Sequence, residues 1–208
     1  MATNILIMGV GGQGLVLATN ITANVAALAG YDVKTNDVIG MSQRGGMVWG
    51  SVRFGETVHS ANVPVGQGDV LLGMEPLEAL RGSRLLKEGA TIIMNTKNVY
   101  PSPVMLEKAE YPEEEIKKLE EKFNVIYVDA DAEAKEAGNI KAANTIQLGI
   151  LAGVLDIEKE LWLEAIKQFV PEKAIEANVN AFERGLAIAT AKPEPADREE
   201  DDDETKLM

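Results

Sequence analysis

The residues best suited to chemistry in this chain are the run Gly9-Val10-Gly11-Gly12-Gln13-Gly14, which follows the apolar stretch Ile5-Leu6-Ile7-Met8 and leads into a helical pattern. Glycines at the first, third and sixth places suit a tight turn, a close backbone approach to a ligand, and close contact between helix and strand. The helix start beyond them presents N–H groups with no partner inside the helix, which favours an anion. Three readings fit these residues: a nicotinamide or flavin dinucleotide site, a site for another phosphate or carboxylate, or a packing turn. Magnitudes show that the turn needs help. A charge at a helix terminus gains at most about 2 kcal/mol, whereas micromolar binding needs about 8 kcal/mol.

The best source of that help is Ile39-Gly40-Met41-Ser42-Gln43-Arg44-Gly45-Gly46. Arg44 has a planar fork that matches phosphate or carboxylate, and Gly45 and Gly46 let a ligand reach the backbone; Ser42 adds a hydroxyl. An equally good reading pairs Arg44 with Glu75 or Asp37 to pin the loop. Glu75 ends the apolar run of residues 69–75, and Asn95 ends that of residues 90–95, at the strand edge where ligands collect in open α/β sheets. Arg53 lies on a strand and reads as structural or interfacial. The residues expected to hold a ligand are therefore Gly9, Gly11, Gly12, Gln13, Gly14, Ser42, Arg44, Gly45, Gly46 and Glu75.

Stand-alone catalysis finds little support. The chain has 208 residues, no cysteine and a single histidine, His59. It can supply neither the thiolates of ordinary iron–sulfur clusters nor a His-based catalytic set, and no spaced set of metal ligands is present. His59 reads as a polar residue on a strand edge. The formal net charge of −13 argues against nucleic acid or an anionic membrane as partner. No run nears the ~20 apolar residues of a membrane span, and no signal peptide is recognisable, so a cytoplasmic protein is expected.

The elements that must position these residues read as one α/β domain over residues 1–191. Leu17, Ile21, Val25 and Leu28 repeat at helical spacing and Gly30 stands where a helix would stop. Residues 32–37 are too polar for the buried second strand of an ordinary dinucleotide fold, although Asp37 falls where a ribose-binding acid would be. Residues 47–54, a turn at Gly55-Glu56, and residues 57–61 read as an inserted hairpin, which implies a mixed sheet. Strands follow at 69–75, 90–95 and 125–129, with Pro76 opening a helix that carries Leu77, Leu80 and Leu85, and a charged helix at 112–122. Helices are expected at 131–155, 158–169 and 172–191; Asn144 and Asn178 fall in apolar helical stretches, as ligand contacts or as buried, satisfied amides. The fold class is thus a Rossmann-like, mixed but mostly parallel sheet with an inserted β-hairpin and a helical C-terminal part. Residues 192–208 carry a net −5, leaving −8 on the rest, and read as a disordered acidic tail.

Three blocks in this order carry a resemblance: the glycine run at 9–14, Met41-Ser42-Gln43-Arg44-Gly45-Gly46, and Glu75-Pro76-Leu77-Glu78-Ala79-Leu80-Arg81. They resemble the gamma-type domain of 2-oxoacid:ferredoxin oxidoreductases, from about residue 4 to 190, and the third block is most like the indolepyruvate branch. The resemblance implies a subunit, inactive alone, of an enzyme that decarboxylates an aryl 2-oxoacid with coenzyme A and passes electrons to ferredoxin. It implies that thiamine diphosphate and the iron–sulfur clusters sit on a large partner subunit, with coenzyme A or another anionic group contacted here. An isolated chain would expose its interface and is expected to form a homodimer. Within the resemblance, a subunit for pyruvate, 2-oxoisovalerate or 2-oxoglutarate stays open, as do two other classes: a free-standing NAD(P)- or flavin-binding protein, and a scaffold in which the turn only packs.

Overall fold

β1 (Thr3–Val10) is the axis of the sheet, because its alternation sends Ile5 and Ile7 into one core and Leu6 and Met8 into another. A computed structural model describes residues 2–39, 46–155 and 157–191. After β1 come α1 (Leu15–Leu28), β2 (Asp32–Ile39), β3 (Met47–Gly55), β4 (Gly68–Gly73), α2 (Pro76–Ser83), β5 (Leu86–Asn95), α3 (Ser102–Met105), α4 (Glu113–Lys117) and β6 (Asn124–Val128). Four helices complete the described chain: α5 (Ala130–Glu136), α6 (Ala143–Val154), α7 (Lys159–Phe169) and α8 (Ile175–Thr190).

The six strands form one sheet in the order β2-β3-β1-β4-β5-β6. β1, β4, β5 and β6 are mutually parallel, whereas β3 runs antiparallel to both β1 and β2. The sheet is mixed and mostly parallel, as the sequence implied. One face is covered by α1 and the C-terminal helices around Ile5, Ile7, Val52, Leu72 and Ile93. Trp162 of α7 stacks on Phe182 of α8 there, with ring centroids 6.0 Å apart. The other face is covered over β4 to β6 by α2 and α4, through Leu71, Ala79, Ile92 and Ile116.

The antiparallel pair differs from the expected hairpin. β3 does not fold back on residues 57–61, which form no strand; its antiparallel neighbour on the outer side is β2, with Asp32 opposite Gly55 and Ile39 opposite Val48. The polar side chains of residues 32–37 are explained by this position, since β2 is the edge strand and Lys34 pairs with Asp32 across 2.5 Å at the surface. Residues 57–63 instead run back over the sheet. Arg53 Nη1 donates to the carbonyls of Ser60 and Asn62 at 2.9 and 2.8 Å, and Ser51 Oγ to that of Ala61 at 2.8 Å. Arg53 is thereby structural. His59 is exposed on this segment rather than on a strand edge.

The other boundaries follow local signals. Gly30, at φ 87°, ends α1, and Pro76 is the first residue of α2. The helix expected over 131–155 is broken, because Gly138 adopts φ 103° between α5 and a short 3-10 turn at Ile140–Ala142. The helix expected over 112–122 is α4 continued as a 3-10 turn, and it buries Ile116 and Leu119. Among the described residues no helix is long and apolar enough to cross a membrane.

Candidate functional site

The glycine turn sits outside the carboxyl ends of β1 and β4, the crevice where open α/β sheets collect ligands. Its shape is held by Gln13. The Gln13 Oε1 accepts from Val10 N at 2.7 Å, and its Nε2 donates to the Met74 carbonyl at 2.9 Å, which ties the turn to the end of β4. Gly9 must lack a side chain, because a Cβ there would stand 2.7 Å from Gln13 Oε1 and 2.9 Å from Met74 Cβ. Gly14 caps α1 with φ 81°, a left-handed conformation that costs other residues about 1–2 kcal/mol. The N–H of Gly11 donates to the Gly46 carbonyl at 2.9 Å, so the end of the second glycine block lies against the first. Ser42, Arg44 and Gly45 lie outside the described residues, as does the expected pairing of Arg44 with Glu75 or Asp37.

Beside the turn is a cavity of about 460 Å³, within the size range of ligand sites. Gly12, Gln13 and Gly14 form one wall, and Gly12 faces open space where a Cβ would stand. Asn144 and Gln147, one turn apart on α6, form another. Asn144 Nδ2 donates to the Gly14 carbonyl at 3.2 Å, and Gln147 Nε2 to the carbonyls of Gly73 and Ile93 at 3.0 and 3.2 Å. Asn95 closes the floor, donating to the Met74 carbonyl and accepting from Ala130 N. Amide side chains thus fasten the ends of three parallel strands to two helices. Lys97, paired with Asp131, and Lys141 bring two cations to the rim. Helix terminus, open glycine and cations together favour an anionic group.

Glu75 does not join this cavity. It is fully buried as the N-cap of α2: its Oε2 accepts from Glu78 N at 2.9 Å, and its Oε1 from Tyr111 Oη at 2.5 Å and Val99 N at 3.2 Å. With both oxygens engaged inside the chain, the carboxylate builds the corner. Burial first, and then the Glu75 carboxylate, push the Tyr111 hydroxyl far above the ordinary phenol range. A residue at a strand end immediately before a proline at N1 is also an N-cap position, which is the signal for this role.

Asp37 also lies elsewhere. It points to the α1 side of the sheet, against Thr19 and Gly50, and burial raises its carboxyl above the ordinary range. No ribose-binding acid is therefore placed at the glycine turn by β2. Asn178 is a buried, satisfied amide, accepting from Thr145 Oγ1 at 2.7 Å and donating to the Ala174 carbonyl at 2.8 Å. Lys97, Asp131, Lys141 and Gln147 were not anticipated as site residues. The spacing of Asn144 and Gln147 within an apolar helix was the one local signal for them.

The profile of the family described as pyruvate ferredoxin/flavodoxin oxidoreductase matches residues 4–188. The chain is 43% identical over 192 residues to indolepyruvate oxidoreductase subunit IorB of Pyrococcus horikoshii, covering 89% of this chain and 95% of that protein. It is 32% identical to the pyruvate/ketoisovalerate oxidoreductases common subunit gamma of Thermococcus litoralis, covering 85% and 93%. Among solved structures, the gamma subunit of a keto/oxoacid ferredoxin oxidoreductase from Geobacter sulfurreducens aligns with a TM-score of 0.71 at 24% identity, covering 91% of this chain and 97% of that one. The 2-oxoglutarate:ferredoxin oxidoreductase of Magnetococcus marinus, solved with 2-oxoglutarate, coenzyme A and succinyl-CoA, aligns at the same TM-score and 20% identity. There the fold matches 90% of this chain and 31% of the longer chain. The mixed sheet and the helical C-terminal part are therefore those of a known group, and the chain belongs to the pyruvate ferredoxin/flavodoxin oxidoreductase family.

Proposed function

We propose that this chain is the small subunit of an indolepyruvate:ferredoxin oxidoreductase. The observation that carries this reading is the 43% identity over 95% of an indolepyruvate oxidoreductase small subunit, against 32% to a subunit named for pyruvate and ketoisovalerate. The reaction consumes an aryl 2-oxoacid, coenzyme A and two oxidised ferredoxins. It yields acyl-CoA, carbon dioxide, two reduced ferredoxins and one proton.

The chain's own side chains leave the redox chemistry to a larger partner. With no cysteine, the chain cannot ligate an ordinary iron–sulfur cluster. Thiamine diphosphate and the clusters belong, on this reading, to the partner, and electrons leave through it to ferredoxin. Residues 1–191 form the working unit, and the acidic tail of residues 192–208 is given no part in the chemistry.

The contribution of this chain is to close the active site and hold an anionic part of coenzyme A. The N–H groups at the start of α1 and the open face of Gly12 let a phosphate approach the backbone, and Lys141 supplies positive charge beside the Lys97–Asp131 pair. Gly9, Gln13, Gly14 and Glu75 keep the corner in shape. Gly11, Gly46 and the neighbouring Ser42, Arg44 and Gly45 complete the anion-binding loop. These are positioning and binding roles, with no catalytic residue on this chain.

Co-expression with the large subunit from the same source, followed by calorimetric titration with coenzyme A and with NAD(H), tests the proposal. A stable complex that binds coenzyme A supports it. Tight NAD(H) binding by the lone chain, or failure to associate, would overturn it.

A further inference from the structure

The second face of the sheet is covered unevenly, and the topology explains why. A parallel strand needs a crossover helix to reach its neighbour, and α2 serves this purpose between β4 and β5. β2 and β3 are antiparallel neighbours, and β3 is antiparallel to β1, so this half of the sheet gains no such helix among the described residues on the face opposite α1. Toward Lys34, Asn36, Ser51, Arg53 and Asn4 the residues on this face are polar, but at its other end they are apolar. Val38, Trp49 and Met8 are in register across β2, β3 and β1, and Val38 is 40% and Met47 46% exposed.

A groove of about 830 Å³ results, with Leu6, Met8, Met47 and Trp49 as its floor. One wall is the returning segment at Asn62 and Val63, held down by Arg53 and Ser51. The other is α2 and the turn after it, which bring Leu80, Arg81 and Arg84 to the rim. Arg81 is engaged by Glu78 at 2.5 Å, and Arg84 is exposed with no ion pair among the described residues. A rim of two arginines stands out on a body whose net charge is −8. It calls for an apolar segment that carries a carboxylate.

We propose that this groove docks the large subunit of the complex, through an apolar segment whose acidic side chain meets Arg84. The inference rests on the reading of the chain as a small subunit. Its support on size is that in the Magnetococcus marinus enzyme the matched fold is 31% of a longer chain, so a much larger body accompanies this fold there. The groove begins at Met47, next to Gly46, whose carbonyl accepts from Gly11 N. A segment seated in it therefore abuts the connection between the two glycine blocks.

The test uses the full small chain co-expressed with the large subunit from the same source. Association is measured by interferometry and the folding of each variant by circular dichroism and its unfolding midpoint. Met47→Asp and Arg84→Glu change exposed side chains and leave the fold intact; each raises the dissociation constant more than tenfold. Met105→Asp, at a 66% exposed residue away from the groove, leaves it unchanged. Unaltered association of both groove variants, while the parent complex forms normally, overturns the groove as the docking face and spares the functional reading. A parent chain that never associates overturns both. If the groove variants abolish self-association of the lone chain but keep the mixed complex, the groove belongs to a second copy and the proposal fails.

Discussion

Gly14 and Asn144 are in contact across 130 positions of sequence, with Asn144 Nδ2 donating to the Gly14 carbonyl at 3.2 Å. A Cβ on Gly14 would stand 2.5 Å from the same nitrogen. Gly14→Ala therefore meets both a left-handed backbone and an occupied space, and should lose more than the about 1–2 kcal/mol that the backbone alone costs. Asn144→Ala in the Gly14→Ala background should restore part of this, with a coupling above about 0.5 kcal/mol in a denaturant double-mutant cycle. Strict additivity would show that the two do not meet.

Gln147 serves two strands at once. Its Nε2 is buried and donates to the carbonyls of Gly73 and Ile93. Gln147→Met keeps the volume but leaves both acceptors with one partner fewer, and a loss of about 1–3 kcal/mol is expected in urea unfolding. Gln168→Met, whose exposed side chain donates to Glu164, should change stability by less than about 0.5 kcal/mol and calibrates the measurement.

The capping role assigned to Glu75 separates stability from binding. Glu75→Ala removes the N-cap of α2, worth about 0.5–2 kcal/mol, takes the acceptor from the Val99 N–H, and leaves the Tyr111 hydroxyl only its longer contact with Asn98 Oδ1 at 3.3 Å. It should destabilise the chain more than Tyr111→Phe. In the assembled complex the affinity for coenzyme A should be unchanged by Tyr111→Phe, as measured by calorimetry. A tenfold loss on Tyr111→Phe would place this cluster in the ligand site instead.

Acid–base behaviour has a defined sign at Asp37 and Glu78. Burial raises both carboxyls above their ordinary values, 3.8 and 4.5, in Glu78 despite its pairing with Arg81. The folded state then holds protons more tightly than the unfolded one. The stabilisation is full below those ordinary values and is lost as pH rises through the higher native ones. Asp37→Asn removes one such slope. Its stability relative to the parent should therefore rise between pH 3.5 and pH 7 in matched denaturant titrations, and a fall over that interval would contradict the assignment.

The first βα unit could be read directly from the chain, because Ile5 to Met8, the glycines, and the helical repeat of Leu17, Ile21 and Val25 are local signals that tertiary packing reinforces. The partner of β3 could not. Residues 57–61 satisfy the strand pattern as well as residues 32–39 do, and the choice is made at a distance by Arg53 and Ser51 holding residues 60–62 away from a sheet position. The cavity shows the same division. The glycine wall was evident from the motif, whereas Lys97, Asp131, Lys141 and Gln147 come from the loop after β5, α5, the 3-10 turn and α6, which converge only once β4, β5 and β6 are in parallel order. Glu75 was placed at the right strand end, but its chemistry was decided by Pro76 and Tyr111, which make it a cap.

On the proposed function, this chain completes an indolepyruvate-specific enzyme and has no activity by itself. The most direct measurement is coenzyme A-dependent ferredoxin reduction by the small chain, the large subunit and the two together, with indolepyruvate and with pyruvate as substrates. Activity is expected only in the mixture, with a kcat/KM for indolepyruvate at least tenfold above that for pyruvate. Full activity of the large subunit without this chain, or a preference for pyruvate, would contradict it.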